Sequence, residues 1–163
     1  MASTITASTL RVNIEEHIIL NGKQQGGTNT FSIASIKDVT KKIVTIAADD
    51  DATVLVFKST TAIADSALDK ENVKYIRITN LDSANPVNIS LQLDSDEDNS
   101  AANIQSTNLL EAGRSFIMGS PDEAVQVHDS SATISSALTD LESIIVDSGS
   151  NNVQVEVFAA SIS

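Results

Sequence analysis

The densest group of side chains that could do chemistry is the acidic run Asp94–Asn99. Its spaced carboxylates resemble a calcium loop, because Ca²⁺ takes about six to eight oxygen ligands. Counted from Asp94, however, position 6 is Asn99 where an EF-hand has glycine, and position 12 is Gln105 where it has glutamate. We therefore predict a solvated loop that its like charges keep extended. A looser calcium site at Asp94–Asp98 is the alternative.

Histidine, cysteine and serine form no organised site in the sequence. The two histidines, His17 and His128, are too few for a metal cluster of their own, and the chain has no cysteine. The absence of cysteine excludes a thiolate metal site, a cysteine nucleophile and a disulfide framework. The motifs of serine hydrolases, zinc proteases and phosphate-binding loops are missing. The sequence thus predicts a protein that is not an enzyme, with no catalytic residue, no cofactor and no metal.

The charge of the chain is unevenly distributed. The formal net charge is −12, and the acidic excess lies in residues 81–163, whose one basic residue is Arg114. Nucleic acid needs a positive footprint, but the basic residues cluster only at Lys37, Lys41 and Lys42. We therefore expect no nucleic-acid partner. The uneven charge favours one docked side and one solvent-facing side, or acids that simply keep the protein soluble.

Size and hydropathy bound the architecture. The 163 residues fit a single domain spanning 1–163, and 41% hydrophobic residues suffice for an ordinary core. The longest apolar runs, Val54–Phe57 and Val157–Ala160, fall far short of the about 20 residues that a spanning helix needs. The first residues show neither the basic nor the apolar region of a secretory signal. We expect no membrane partner.

The spacing of apolar residues predicts short strands. Leu10, Val12 and Ile14 alternate with polar residues, and Asn21-Gly22 is the typical two-residue turn of a hairpin. Val73–Leu81 and Pro86–Leu93 are the clearest pair of strands, joined by a short turn. Further strands are predicted at Val39–Ala47, Thr53–Lys58, Leu109–Met118 (a strand, a turn and a strand) and Val153–Phe158.

Two stretches do not follow this pattern. The alanine-rich Thr60–Asn72 predicts a loop or a helix of one or two turns. Ile134–Ile145 has helical spacing, although its last residues prefer a strand. Eight to ten short strands with frequent turn signals predict an all-β fold, a β-sandwich that is jelly-roll-like, with at most one or two short helices.

Four segments in order carry a resemblance to a known group of proteins. They are the strand Tyr75–Asp82, the turn-containing Leu110–Met118, the opening hairpin Val12–Gly22 and the closing strand Val155–Ala160. This set resembles small β-sandwich virion proteins of tailed bacteriophages. The resemblance implies a non-enzymatic virion protein, foremost a capsid decoration (cement) protein that stabilises the shell. The alternative is a neck, tail or fibre accessory or attachment protein, including a receptor-recognition module.

The same resemblance implies partners. They are other virion proteins, such as the major capsid protein or tail and neck proteins, together with further copies in a homo-oligomer, for which a trimer is favoured. We expect the docking face to include the basic residues of the N-terminal part, Arg11, Lys37, Lys41 and Lys42. Charge complementarity would set the register on an acidic or mixed surface, and buried Ile and Val would supply the affinity.

Overall fold

The protein is all-β in the residues that the computed structural model describes, which are 5–58, 67–93, 104–125 and 141–162. These residues contain strands and no helix, and three of the strands (β2, β3 and β7) have only two residues. The strands are β1 Ser8–Glu15, β2 Ile19–Leu20, β3 Lys23–Gln24, β4 Thr28–Ile36, β5 Asp38–Ile46, β6 Asp51–Lys58, β7 Leu68–Asp69, β8 Val73–Asn80, β9 Val87–Leu93, β10 Ile104–Leu110, β11 Ser115–Gly119, β12 Leu141–Asp147 and β13 Val153–Ser161.

Eight of these strands form two facing sheets. One sheet has the order β10-β9-β12-β6, with the short β7 added beside β6, and the other has the order β11-β8-β13-β5. Within the two sheets all pairs are antiparallel except β6 with β7. When the eight long strands from β5 to β13 are numbered one to eight, with the short β7 left out, the two sheets have the orders 5-4-7-2 and 6-3-8-1. This is the strand order of a jelly roll. The predicted fold class is confirmed.

The jelly roll consists of two antiparallel ribbons, each folded over from one sheet to the other. The first ribbon pairs β8 with β11 and β9 with β10, and the second pairs β5 with β13 and β6 with β12. Because the chain crosses between sheets at residues 81–86, β8 and β9 are not bonded to each other. The prediction that treated these strands as a pair found their positions but not their partners.

Hydrogen bonds fix the corners where the chain changes sheet. The carboxylate of Asp82 accepts the backbone N–H groups of Ala84 and Asn85 at 2.8 and 2.7 Å, which lowers the pKa of Asp82. At the second ribbon's corner, the buried Ser148 hydroxyl donates to the carbonyl of Ala47 at 2.5 Å. These contacts satisfy backbone groups that neither sheet pairs.

The core lies between the sheets and follows from the alternation of side chains along each strand. Val153, Val155 and Val157 of β13 point inwards and are fully buried, as are Ile76 and Ile78 of β8. The opposite sheet contributes mainly Ile, Val and Leu from β6, β9 and β12. The polar residues between them point out of the sandwich, as the sequence pattern predicts.

A separate ribbon of β1 and β4 packs on the outside of the sandwich. Its two strands pair antiparallel, with Val12 opposite Phe31. Val12, Ile33 and Ile36 are buried against Tyr75 and Ala160, which form the outward side of β8 and β13. The apolar alternation at the start of the sequence is therefore the contact side of this ribbon.

Several predictions fall on or beside stretches outside the described residues. The acidic run Asp94–Asp98 and His128 lie outside them, and so do residues 59–66 and 126–140. Within the ambiguous segments, residues 68–69 form β7 and residues 141–147 form β12, so the end of the second segment is a strand and not a helix. His17 lies between β1 and β2 rather than within a strand.

Candidate docking surface

The β1–β4 ribbon continues past the sandwich as a β-arm, which we define as residues 13–30. All of these residues are exposed apart from the half-buried Gly26. The end of the arm is the hairpin of β2 and β3, whose turn residues Asn21 and Gly22 both have positive φ, 51° and 75°. This is the left-handed conformation that a type I′ turn requires, and it confirms the hairpin predicted from Asn-Gly.

The β-arm presents a cluster of apolar side chains to solvent. Ile18, Ile19 and Leu20 are 54%, 63% and 58% exposed, and Ile14 nearer the base is also exposed. Among the described residues ten large apolar side chains are exposed, and seven of them lie between Ile5 and Ile43. Grouped exposed apolar side chains mark an interaction surface more often than scattered ones do. The sequence carried a signal for this cluster, since Ile18-Ile19-Leu20 lacks the alternation of a half-buried strand.

A close backbone approach holds the β-arm together between β1 and β2. The Glu16 N–H donates to the Gly27 carbonyl at 2.8 Å, and the Gln25 N–H donates to the Ile18 carbonyl at 2.9 Å. Gly26 lies directly against Glu16, because a Cβ built on Gly26 would be 1.9 Å from the Glu16 carbonyl oxygen. Only glycine fits at this position without moving the backbone.

Aromatic side chains anchor the base of the arm. The rings of Phe31 and Tyr75 lie next to Gly119 of β11. A Cβ added at Gly119 would be 3.3 Å from Cζ of Phe31 and 3.2 Å from Cδ2 of Tyr75. Tyr75 meets Phe158 edge-to-face at a centroid distance of 5.9 Å. Burial raises the pKa of the Tyr75 hydroxyl, while the nearby charge of Arg77 partly opposes that rise. A groove of about 240 Å³ remains between the ribbon and these side chains.

The rest of the outward side of β8, β13 and β5 is charged and apolar. Arg77 donates to Glu156 at 2.5 Å, and Lys41 of β5 lies 3.2 Å from the same carboxylate. Arg77 also bonds to the Thr79 hydroxyl and stands 5.9 Å over the Phe158 ring. The hydrogen bonds from Arg77 and then Lys41 hold the pKa of Glu156 below its ordinary value.

The four predicted docking residues do not share one face. Lys41 and Lys42 are neighbours on β5, so their side chains point to opposite sides of the sheet. Lys41 lies on the outward side with Glu156, whereas Lys42 lines a shallow groove with residues of β6. Arg11 lies opposite Ser32 in the ribbon and is among the residues that line the groove beside Tyr75. Lys37 follows β4, and its backbone N–H donates to the Ser161 carbonyl. All four side chains are exposed, and their role in docking stays a prediction.

The far side of the sandwich has a different character. The outward residues of β9 and β10 form a polar ladder in which the Gln92 amide donates to Ser90 at 2.7 Å and to Gln105 at 3.1 Å. An open groove of about 480 Å³ beside it is lined in part by Asp49, Asp51 and Asp147. Within the described ranges, no three His, Cys, Asp or Glu residues are grouped so that they could hold a metal ion. No helix in that part of the chain could cross a membrane.

Comparisons with known proteins show no family for this chain. No protein-family model matches it, and no curated protein matches it. Among solved structures it is similar to a chain from the work "Bacillus endospore appendages form a novel family of disulfide-linked pili", with a TM-score of 0.36 and 11% identity over 77% of this chain and 89% of that one. That neighbour is a pilus protein, but a likeness this distant supports no statement on function. The resemblance to phage virion proteins remains a prediction.

Proposed function

We propose that the protein is a non-enzymatic structural component of an assembled particle, to which it docks through surfaces of its N-terminal part. The observation that carries this proposal is the concentration of exposed apolar residues between Ile5 and Ile43, on the same part of the chain as the exposed basic residues. Apolar area supplies affinity and complementary charge supplies register. The far side, with its polar ladder and aspartates, suits contact with solvent.

In its most specific form, the proposal is a capsid decoration protein of a tailed phage virion. It rests on the resemblance of the strand set around Tyr75–Asp82 and Leu110–Met118, and the jelly roll is a fold that virion proteins use. A decoration protein stabilises a shell by being bound at many equivalent positions. That role requires a stable sandwich with a docking side, and the exposed apolar and basic residues of the N-terminal part support such a side.

The alternative is a neck, tail or fibre accessory or attachment protein built on the same fold. The copy number per particle, obtained by densitometry of purified virions, distinguishes this alternative from a decoration protein. Decoration of a shell needs hundreds of copies, whereas a neck, tail or fibre position holds at most a few tens. Absence of the protein from purified particles would refute both forms of the proposal.

Charge reversal tests the docking side directly. Lys41→Glu and Lys42→Glu each reverse one exposed charge on β5, on its two opposite sides. Arg114→Glu is the matched control, since Arg114 is also exposed but lies outside the N-terminal part. We expect reduced incorporation into particles for at least one of the two lysine variants, and incorporation at the wild-type level for the control. Undiminished incorporation of both lysine variants would refute this docking side.

A further inference from the structure

We propose that the β-arm of one copy packs against β5 of a second copy, so that the chain assembles with itself through this contact. The proposal rests on the proposed structural function and names its partner. The donor is the stretch of the arm from Ile14 to Ile18, and the acceptor is the unpaired edge of β5. Since donor and acceptor are different patches of one chain, the contact is heterologous and generates a ring or a filament.

The β-arm exposes apolar side chains that a partner would cover. A two-stranded hairpin alone is at best marginally stable in water, and this one leaves Ile18, Ile19 and Leu20 more than half exposed. Its shape is nevertheless tightly defined, by the Asn21-Gly22 turn and by the contact of Gly26 with Glu16. A defined shape with exposed apolar side chains suits the arm for packing against a second copy.

Strand β5 offers an unpaired edge with apolar side chains. Among the described strands it is bonded to β13 alone, so its other edge has free backbone groups. Val39 and Ile43 are 50% and 59% exposed on its outward side, with Lys41 between them. A nine-residue edge without proline can pair with another chain, and its two lysines disfavour a basic partner.

The two surfaces match in both apolar spacing and charge. The arm has Ile14 and Ile18 with Glu15 and Glu16 between them, and β5 has Val39 and Ile43 with two lysines between them. Placed antiparallel along the edge, Ile14 meets Ile43, Glu16 meets Lys41 and Ile18 meets Val39 on the outward side of β5, while Glu15 meets Lys42 on the opposite side. Opposite charges between two apolar pairs fix one register, because a shift along the strand would separate both kinds of contact.

The arm of one chain cannot pair with β5 of the same chain, because it points away from that strand. The ribbon starts near β5, where Ile36 is two residues from the beginning of that strand, and Phe31 lies over Gly119 of β11. In the sheet order β11-β8-β13-β5, these are the two opposite edges. The arm therefore continues beyond the β11 edge, away from its own β5. A second copy beside that edge would bring its β5 into reach.

Cross-linking of two single-cysteine variants tests the contact, because the natural chain has no cysteine. We would mix a tagged Ile18→Cys protein with an untagged Val39→Cys protein, oxidise the mixture with diamide and look for the disulfide-linked heterodimer. The control is Leu109→Cys in place of Val39→Cys, since Leu109 is 62% exposed on β10 of the other sheet. We expect a heterodimer yield at least about tenfold higher with Val39→Cys. Equal yields would overturn the proposal.

Sedimentation of the purified full chain supplies an independent result. We expect concentration-dependent association that Ile18→Asp weakens by about tenfold or more and that Leu109→Asp leaves unchanged. A chain that stays monomeric at high concentration, while it still enters particles, would overturn the self-contact and leave the proposed function standing. Association through β5 in a protein that is absent from particles would refute the proposed function and keep the self-contact.

Discussion

Glu156 of β13 and Arg77 of β8 form an ion pair at 2.5 Å on the outward side of the sheet, where Lys41 of β5 adds a second cation at 3.2 Å. Because β13 lies between β8 and β5, one carboxylate connects three neighbouring strands. The pair lies beside the anchored base of the arm, since Arg77 also stands over the ring of Phe158. The charged network and the aromatic anchor are therefore parts of one surface.

Stability should decrease in acid through Glu156. The pKa of Glu156 is lowered in the folded protein, so its stabilisation is present above the unfolded-state pKa and is lost as the pH falls through the folded value. We expect Glu156→Gln to lower Tm at pH 7 and to leave little difference from the wild type near pH 2. Melting curves across this range measure the effect. Glu142→Gln, on the exposed side of β12, is the control, and a Tm difference that does not change with pH would contradict the prediction.

Asn80 should be among the most sensitive polar positions. Its buried amide donates to the carbonyls of Asn85 at 2.9 Å and Leu110 at 3.3 Å, and its oxygen accepts the Asp82 N–H. We expect Asn80→Ala to lower the free energy of unfolding by about 1–3 kcal/mol, because these groups lose their partners inside the protein. Urea titration measures this loss. The half-buried Asn88, with one bond to Asp147, is the control, and an equal loss for Asn88→Ala would contradict the argument.

Gly26→Ala should open the β-arm and leave the sandwich folded. The added methyl group would overlap the Glu16 carbonyl, whereas a Cβ at Gly27 meets nothing within 4 Å. We expect faster hydrogen exchange at the Gln25 and Glu16 amides in Gly26→Ala and normal exchange in Gly27→Ala. Amides of β8 and β13 should keep their protection in both variants. Unchanged exchange at Gln25 in Gly26→Ala would show that the close approach does not hold the arm.

Tyr75 is a built-in reporter of the arm base, because it is the one tyrosine of the chain and there is no tryptophan. Its raised pKa comes first from burial. We expect Phe31→Ala, which uncovers this site, to move the pKa of Tyr75 back towards its ordinary value, as measured by the ultraviolet absorbance of tyrosinate. Phe116→Ala is the control, since Phe116 packs against the main core. An equal shift in both variants would point to general loosening of the fold.

The positions of the strands and their core-facing residues could be predicted from the sequence, whereas the pairing of the strands could not. Alternation identified β1, β8, β9 and β13, since apolar and polar residues alternate along most of each strand. That Tyr75 and Ala160 are buried on the outward side as well, under the ribbon of β1 and β4, did not follow from this pattern. Nothing in Val73–Leu81 and Pro86–Leu93 says that the intervening turn changes sheet. That change depends on the contacts of Asp82 and Asn80 with residues distant in sequence.

The candidate surface was predicted in part. The basic residues and the apolar N-terminal part were visible in the sequence, and so was the Asn21-Gly22 turn. The alternation of a strand already implies that Lys41 and Lys42 point in opposite directions. Which surface each lysine joins could not be predicted, because that depends on the position of β5 at the edge of its sheet. Glu156 could not be assigned as the partner of Lys41, because the register between strands whose paired residues are 107 or more positions apart is a tertiary property.

The position of β13 has a consequence for biosynthesis. It is the last strand of the described chain, yet it lies in the middle of its sheet and joins β5, whose residues are translated more than a hundred positions earlier. While the ribosome is still making residues before Val153, β5 and β8 lack the neighbour that links them. The jelly roll therefore closes only after nearly all of these residues have been synthesised, and pairings this distant in sequence fold in milliseconds to seconds rather than microseconds.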